Sequence, residues 1–268
     1  MSLSLGQRRT NFLIWAWTLF VLVVVYLPIA CGALASFSKS RYFGFPVRAF
    51  STEWWQKTFD SIEIGMIVRT SILMAVLVTI ISVVIATFGA LAFARYDWKG
   101  RRLFQKLIIL PIFFPQPVLG LALLLGFSAA GIQTTWMTAV FAHLVWIVPV
   151  VTLVIAIRVY GFDPSLEEAA FDLGCSRLQV LREVTLPLLW PGIWSGMLFA
   201  FLLSWSNFPL SLYTTGADST VPEWLYSKMV AGYTPMVPAL GTMATLSAAA
   251  VLLIGGLIGM IARRRQVA

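Results

Sequence analysis

Six stretches of this 268-residue chain are apolar for about twenty residues or more: 12–36, 67–94, 107–127, 136–158, 193–213 and 239–262. Roughly twenty residues of apolar helix match the ~30 Å hydrocarbon core of a bilayer. In that core every backbone N–H and C=O must be paired within the protein, and a helix pairs them by itself. Single Ser, Thr and Gly residues do not interrupt such runs, because neighbouring helices can take up their polar groups. The sequence therefore predicts an all-α integral membrane protein with about six transmembrane helices. Charged residues make up 11% of the chain, where soluble domains carry about 25%.

Orientation follows from the basic residues. With the N-terminus inside, thirteen of the 19 Lys and Arg fall on the cytoplasmic side: Arg8, Arg9, Arg95, Lys99, Arg101, Arg102, Lys106, Arg158, Arg177, Arg182 and Arg263 to Arg265. Lys39, Arg41, Arg48, Lys57, Arg69 and Lys228 remain outside. The positive-inside bias thus places both termini in the cytoplasm. Because the net charge of +8 is spread in short blocks between apolar runs, it reads as an orientation signal and not as a nucleic-acid face. Trp15, Trp17, Trp54, Trp55, Trp98, Trp136, Trp190 and Trp194 sit near the predicted interfaces, as amphipathic rings prefer.

Residues 1–66 then form a first span and a periplasmic segment, 67–262 a core, and 263–268 a basic cytoplasmic tail. The opening "GQRRTNFLIW" suits a retained helix better than a cleaved leader, since its apolar run is long enough to span and lacks an Ala-x-Ala site. "FSTEWWQKTF" predicts a short surface helix capped by Ser51 or Thr52. Cys31 and Cys175 have no metal-ligand spacing and read as small apolar fillers on opposite sides of the membrane. Gly192 and Gly196, and Gly255 and Gly259, are spaced for close helix approach, either within the chain or to a second subunit.

One segment breaks the apolar pattern. The loop 159–192, between the fourth and fifth runs, carries Glu167, Glu168, Asp172, Arg177, Arg182 and Glu183 within "SLEEAAFDLGCSRLQVLREVTLPLLWP". Asp163 can cap a helix there, with Pro164 at its first position. Leu166, Ala169, Ala170 and Leu173 form an apolar stripe. Glu167, Glu168 and Asp172 make an acidic face, with Phe171 among them. Gly174 ends the helix, and Ser176 with Gln179 forms a capping box that opens a second one. This second helix should end near Val184, because Pro187 disfavours helix before it. The result is a helix–glycine–helix elbow in the cytoplasm. A hairpin lying on the inner leaflet would favour Lys and Arg on its polar face, so the acidic face with an outlying aromatic points to a protein partner.

Glu168-Ala169-Ala170, three residues, Gly174, nine residues, then Val184-Thr185-Leu186-Pro187 resembles the "EAA" loop of bacterial ABC importer permeases. "YLPIACGALASFSKSRYFGF", "LAFARYDWKGRRLF" and "YTTGADSTVPEWLYSKMV" extend the likeness to the second permease subunit of spermidine/putrescine-type importers. The resemblance implies that the elbow is a coupling helix seated on an ATPase. Glu167, Glu168, Ala169, Ala170, Phe171, Asp172, Gly174, Leu186 and Pro187 would form that contact. It implies a location in the bacterial inner membrane. The implied partners are an ATP-binding subunit dimer, a second permease subunit, a periplasmic or lipid-anchored solute-binding protein, and membrane lipid. ATP and Mg²⁺ would be held by the partner subunits, with no cofactor or metal in this chain. In keeping with this, the sequence contains no Gly-x-x-x-x-Gly-Lys-Ser/Thr phosphate loop.

Within the spans, His143 in run four and Trp205, Ser206 and Asn207 in run five are the candidates for a solute path or for hydrogen bonds between helices. Pro111, Pro115 and Pro117 predict a kinked start to run three. Polyamine-type relatives tend to carry acidic residues in this part of span five, where this chain has Ser206 and Asn207. The solute expected is a small polar molecule, polyamine-like or less cationic. An ion-driven secondary transporter is the alternative, but it would call for inverted repeats or midplane charges. An enzyme would need convergent catalytic groups, and one histidine does not supply them.

Overall fold

The computed structural model describes residues 5–40, 44 and 46–267, with side chains described between 10 and 261. Arg41 and the side chains of Arg8, Arg9 and Arg263 to Arg265, all counted in the charge argument, lie outside the described residues. The chain is helical almost throughout. Five helices are long and apolar enough to cross a membrane: Thr10–Ser36, Ile62–Ala94, Trp136–Tyr160, Arg177–Trp205 and Met236–Ile261. A sixth crossing is supplied only if the bent pair Arg101–Phe113 and Gln116–Ala129 acts as one span.

The chain packs as two units, Met1–Ile64 with Leu225–Leu246, and Gly65–Trp224 with Ser247–Ala268. In the first, α1 (Leu5–Ser36) is apolar all round and exposed along most of its length. An isolated bridge pairs Ser38 with Phe50 and leads into α2 (Glu53–Asp60). Ser51, one of the two expected caps, accepts the Glu53 N–H at 3.1 Å, whereas Thr52 makes no side-chain cap bond. Trp55 stacks on Phe37 and donates to the Ser36 hydroxyl at 3.2 Å, so the surface helix is pinned to the end of the first span.

The second unit holds the core. It is built from α3 (Ile62–Ala94), α4 (Arg101–Phe113), α5 (Gln116–Ala129) and α6 (Trp136–Tyr160). The elbow helices α7 (Ser165–Asp172) and α8 (Arg177–Val180) follow, then a π-helical turn (Leu181–Thr185) and α9 (Leu186–Trp205). α10 (Pro209–Thr214), the start of α11 (Val221–Ala231) and the later part of α12 (Met236–Val267) complete it, residues 225–246 belonging to the first unit. Met74, Val78 and Ala86 of α3 meet Ile147, Val151 and Ile155 of α6 and Leu189, Ile193 and Ala200 of α9 in one buried cluster. Half of the apolar window of α6 is buried, against 6% for α1 and for α12. Hence α6 is the central post of this unit.

Glycines set the helix spacing. A side chain at Gly192 would meet the Arg158 Cβ at 2.8 Å, and one at Gly196 would press on Val151 and Ile155 of α6. Gly255 faces Leu198, and Gly259 faces Trp194, whose indole donates to the Gly255 carbonyl at 2.8 Å. Both glycine pairs are therefore used inside the chain.

Two runs are not single straight helices, the first of them broken where its prolines predict a kink. The run 107–127 is split into α4 and α5, bent by 103°. Phe114 is extended, as the residue before Pro115 prefers, and Pro115 leads into α5. The run 193–213 begins much earlier, at Arg177, and ends at Trp205. Pro209 cannot return a hydrogen bond to the preceding turn, so the helix stops and α10 starts afresh on it.

Candidate functional site

The elbow takes shape from its own sequence. Asp163 accepts the Ser165 N–H at 3.0 Å, and that bond holds its carboxyl below the ordinary carboxylate range. Gly174 adopts φ +86°, the left-handed conformation that an L side chain resists. Its N–H closes on the Phe171 carbonyl, and the Cys175 N–H on that of Ala170. Ser176 and Gln179 form the capping box: the Gln179 side chain accepts the Ser176 N–H at 2.8 Å, and the Ser176 hydroxyl accepts the Gln179 N–H at 3.4 Å.

Beyond α8 the structure corrects the expected stop near Val184. The chain widens into the π-helical turn, with the Leu186 N–H bonding to the Leu181 carbonyl, and runs on into α9 without a break. One wide turn relaxes the crowding that Pro187 would impose on the carbonyl four residues before it. Leu186 and Pro187 thus lie at the root of a membrane span, Leu186 partly buried and Pro187 exposed.

The two faces of α7 also differ from the expected division. Glu167 is turned inward and buried, together with Ala170. Its Oε2 receives the Arg95 Nε at 3.0 Å and Nη2 at 2.6 Å, and its Oε1 receives the Thr185 hydroxyl at 2.5 Å. Arg95 lies over the Phe162 ring, 5.2 Å from its centroid. Glu168, Ala169, Asp172 and Gly174 face outward with Leu166, Phe171, Leu173 and Leu178, and Leu173 is 86% exposed. The presented surface is therefore more apolar than the expected acidic face. An apolar patch with an acidic rim, held on a short helix, is suited to a pocket on another protein.

In the spans, His143 is fully enclosed. Its Nδ1 lies 2.9 Å from the Ser204 hydroxyl and its Nε2 3.0 Å from that of Ser211. Asn207 is buried in the break between α9 and α10, where its Oδ1 accepts the Leu210 N–H at 3.1 Å. Trp205 stacks on Phe201, and Ser206 is exposed, donating to the Leu202 carbonyl at 2.8 Å. His143 and Asn207 thus meet around Ser211, which also donates to the Asn207 carbonyl at 2.8 Å, while Trp205 and Ser206 make only local bonds.

Arg95, Thr185, Ser204 and Ser211 are not among the site residues expected from the sequence, and neither is Glu223. The Glu223 carboxylate is buried among Thr215 and Thr220, with the Thr220 N–H at 2.6 Å. The spacing Thr220-x-x-Glu223 is itself a capping-box signature that could have disclosed it.

Residues 83–267 match the family of binding-protein-dependent transport system inner membrane components. The spermidine/putrescine transport system permease protein PotC of Haemophilus influenzae is 31% identical, covering 90% of this chain and 95% of its own. The putrescine transport system permease protein PotI of Escherichia coli is 30% identical, covering 85% of each. The diacetylchitobiose uptake system permease protein DasC of Streptomyces coelicolor is 33% identical over 60% of this chain and 59% of its own. Among solved structures, a bacterial ABC transporter that imports the acidic polysaccharide alginate superposes with a TM-score of 0.69 at 18% identity, over 95% of this chain and 98% of that one. The MetNI methionine ABC transporter gives 0.62 at 15% identity, over 75% of this chain and 99% of its own.

Proposed function

The chain belongs to the family of binding-protein-dependent transport system inner membrane components, and we propose that it couples solute passage to a separate ATPase through the elbow 159–192. As a member of that family it is a multi-pass permease subunit of an ABC importer in the bacterial inner membrane. The outward face of α7 and α8 supports the finer reading. Leu166, Phe171, Leu173 and Leu178 are exposed there beside Glu168 and Asp172. On this reading Glu168 pairs with a basic group of the ATPase, Ala169 permits close approach, and Phe171 enters a pocket.

Both termini lie in the cytoplasm on this reading, which the Lys and Arg distribution supports. A second permease completes the path, and an ATP-binding dimer drives a rigid-body switch between outward and inward access. A solute-binding protein delivers the cargo. ATP and Mg²⁺ belong to the ATPase, and this chain supplies no cofactor site.

The solute is a small polar molecule, polyamine-like or less cationic. The polyamine names of PotC and PotI support the first choice. The neutral Ser206 and Asn207 in the broken span, and the sugar named for DasC, support the second. His143 and Asn207 shape the path by holding the break between α9 and α10, and Trp205 and Ser206 border it.

A mild-detergent pull-down of the tagged chain from native membranes, read by mass spectrometry, tests the reading. An ATP-binding subunit and a second permease should be recovered with it, and both the ATPase and uptake should be lost in Glu168→Arg. Recovery of the chain without any ATPase would reject the coupling role.

A further inference from the structure

Glu167 and Glu168 are neighbours in the sequence, yet only Glu168 faces outward. The Glu167 carboxylate instead joins three elements. It takes two bonds from Arg95, just past the end of α3, and one from Thr185, in the π-helical turn that feeds α9. The two side chains of the Arg95–Glu167 pair are 17% and 10% exposed. The ion pairs Lys57–Glu53 and Lys228–Glu63, by contrast, lie in the open. Arg95 is held in turn by Phe162, in the loop that enters the elbow. Trp98, Arg101 and Gln105 satisfy the last carbonyls of α3 at Ala92, Phe93 and Ala94, which leaves the Arg95 guanidinium committed to Glu167.

The elbow needs such a joint. Gly174 turns in the left-handed region after α7 and sets it off from α8. A two-turn helix set off in this way passes a displacement on only if something ties it to the spans. The continuous backbone does this for α9. For α3 the chain offers no covalent route short of the whole of α4, α5 and α6.

We propose that Arg95, Glu167 and Thr185 form a buried clamp that transmits movement of the elbow to α3 and α9 together. These are positioning residues: they touch neither solute nor ATPase, and they fix how far the lever moves the path. A forked guanidinium on a carboxylate is directional in two bonds, so the clamp carries rotation as well as translation. The proposal rests on the elbow being the coupling element.

The test is made on the complete transporter, purified with its partner subunits and reconstituted in vesicles, reading uptake per ATP hydrolysed. Glu167→Gln keeps the shape and removes the charge, and should retain the ATPase subunit while lowering uptake per ATP at least tenfold. Thr185→Val should lower it by a smaller factor. The exchange Arg95→Glu with Glu167→Arg should restore uptake per ATP to within about threefold of the unaltered transporter. An unchanged ratio in Glu167→Gln would overturn the clamp. So would loss of assembly in Glu167→Gln that the exchange fails to repair, since that marks a folding role alone. Retention of the ATPase by Glu168→Arg would instead overturn the coupling reading on which the clamp stands.

Discussion

His143 Nδ1 lies 2.9 Å from the Ser204 hydroxyl, and its other nitrogen reaches Ser211 across the break in the fifth span. Ser211 spends its proton on the Asn207 carbonyl at 2.8 Å, so its oxygen is free to accept from the imidazole. Nε2 then carries the hydrogen and Ser204 donates to Nδ1. One ring thus ties α6 to α9 and to α10.

Removing that ring should loosen the break. His143→Leu leaves the buried Ser204 hydroxyl without its acceptor, at about 1–3 kcal/mol, while Ser211 keeps its bond to the Asn207 carbonyl. A fall of several degrees in the thermal midpoint of the detergent-purified transporter is expected. His143→Gln, which keeps a donor and an acceptor, should recover much of it. Uptake measured from about pH 5.5 to 7.5 should keep its profile in His143→Gln, because a joint of this kind moves no proton.

Gly174 has open space where a Cβ would go, so any penalty at this position is backbone strain alone. An L residue in the left-handed region costs about 1–2 kcal/mol, less for Asn. Gly174→Val should cut the yield of the chain–ATPase complex several-fold, whereas Gly174→Asn should stay near the unaltered level. Equal yields from the two variants would show that the turn is not under conformational control.

Gly120 is where α5 meets α10 closely. A Cβ there would stand 2.9 Å from the Tyr213 ring and 3.1 Å from the Pro209 carbonyl. The ring can swing, but the backbone of α10 cannot yield without moving the Asn207 cap. Gly120→Val should therefore cost roughly 1–3 kcal/mol by overpacking, seen as a lower thermal midpoint and slower uptake. Gly126, whose surroundings are open, should tolerate the same change with little effect.

Apolar runs of twenty residues disclosed the spans because bilayer thickness and helical rise leave little choice. Proline was read correctly at Pro115, where the chain bends, but wrongly at Pro187, where the helix continues. The difference is the π-helical turn over Leu181–Thr185, a local widening that no residue in that stretch announces. The elbow was legible down to its glycine and capping box, since those depend on neighbours along the chain. Its facing was not. Glu167 and Glu168 look alike in sequence, and only Arg95, 72 positions earlier, decides which one turns inward. Ser204 and Ser211 were likewise invisible, because small hydroxyls in a span gain meaning only from the histidine opposite them.

Glu223 gives the clearest dependence on pH. Burial pushes its carboxyl above the ordinary value of 4.5, with Asp218 adding to the rise, and outweighs the hydrogen bonds from Thr215 and Thr220. The protonated form fits the geometry: the Thr215 hydroxyl can give its proton to the Ser211 carbonyl at 2.9 Å and accept one from Glu223. Thr220 meanwhile donates to the other carboxyl oxygen through its N–H and its hydroxyl. A carboxyl whose folded pKa is raised stabilises the fold fully below its unfolded pKa, and that contribution is lost as pH rises through the folded value. The thermal midpoint of the purified transporter should therefore fall as pH rises above the ordinary carboxyl value of 4.5, at about 2–4 °C for each kcal/mol lost. Glu223→Gln imitates the protonated carboxyl, with its amide donating to Thr215 and its oxygen accepting from Thr220. That variant should match the unaltered protein at the acid end of the titration and lose the part of the decline due to this residue. An identical slope in both proteins would place the pH sensitivity elsewhere.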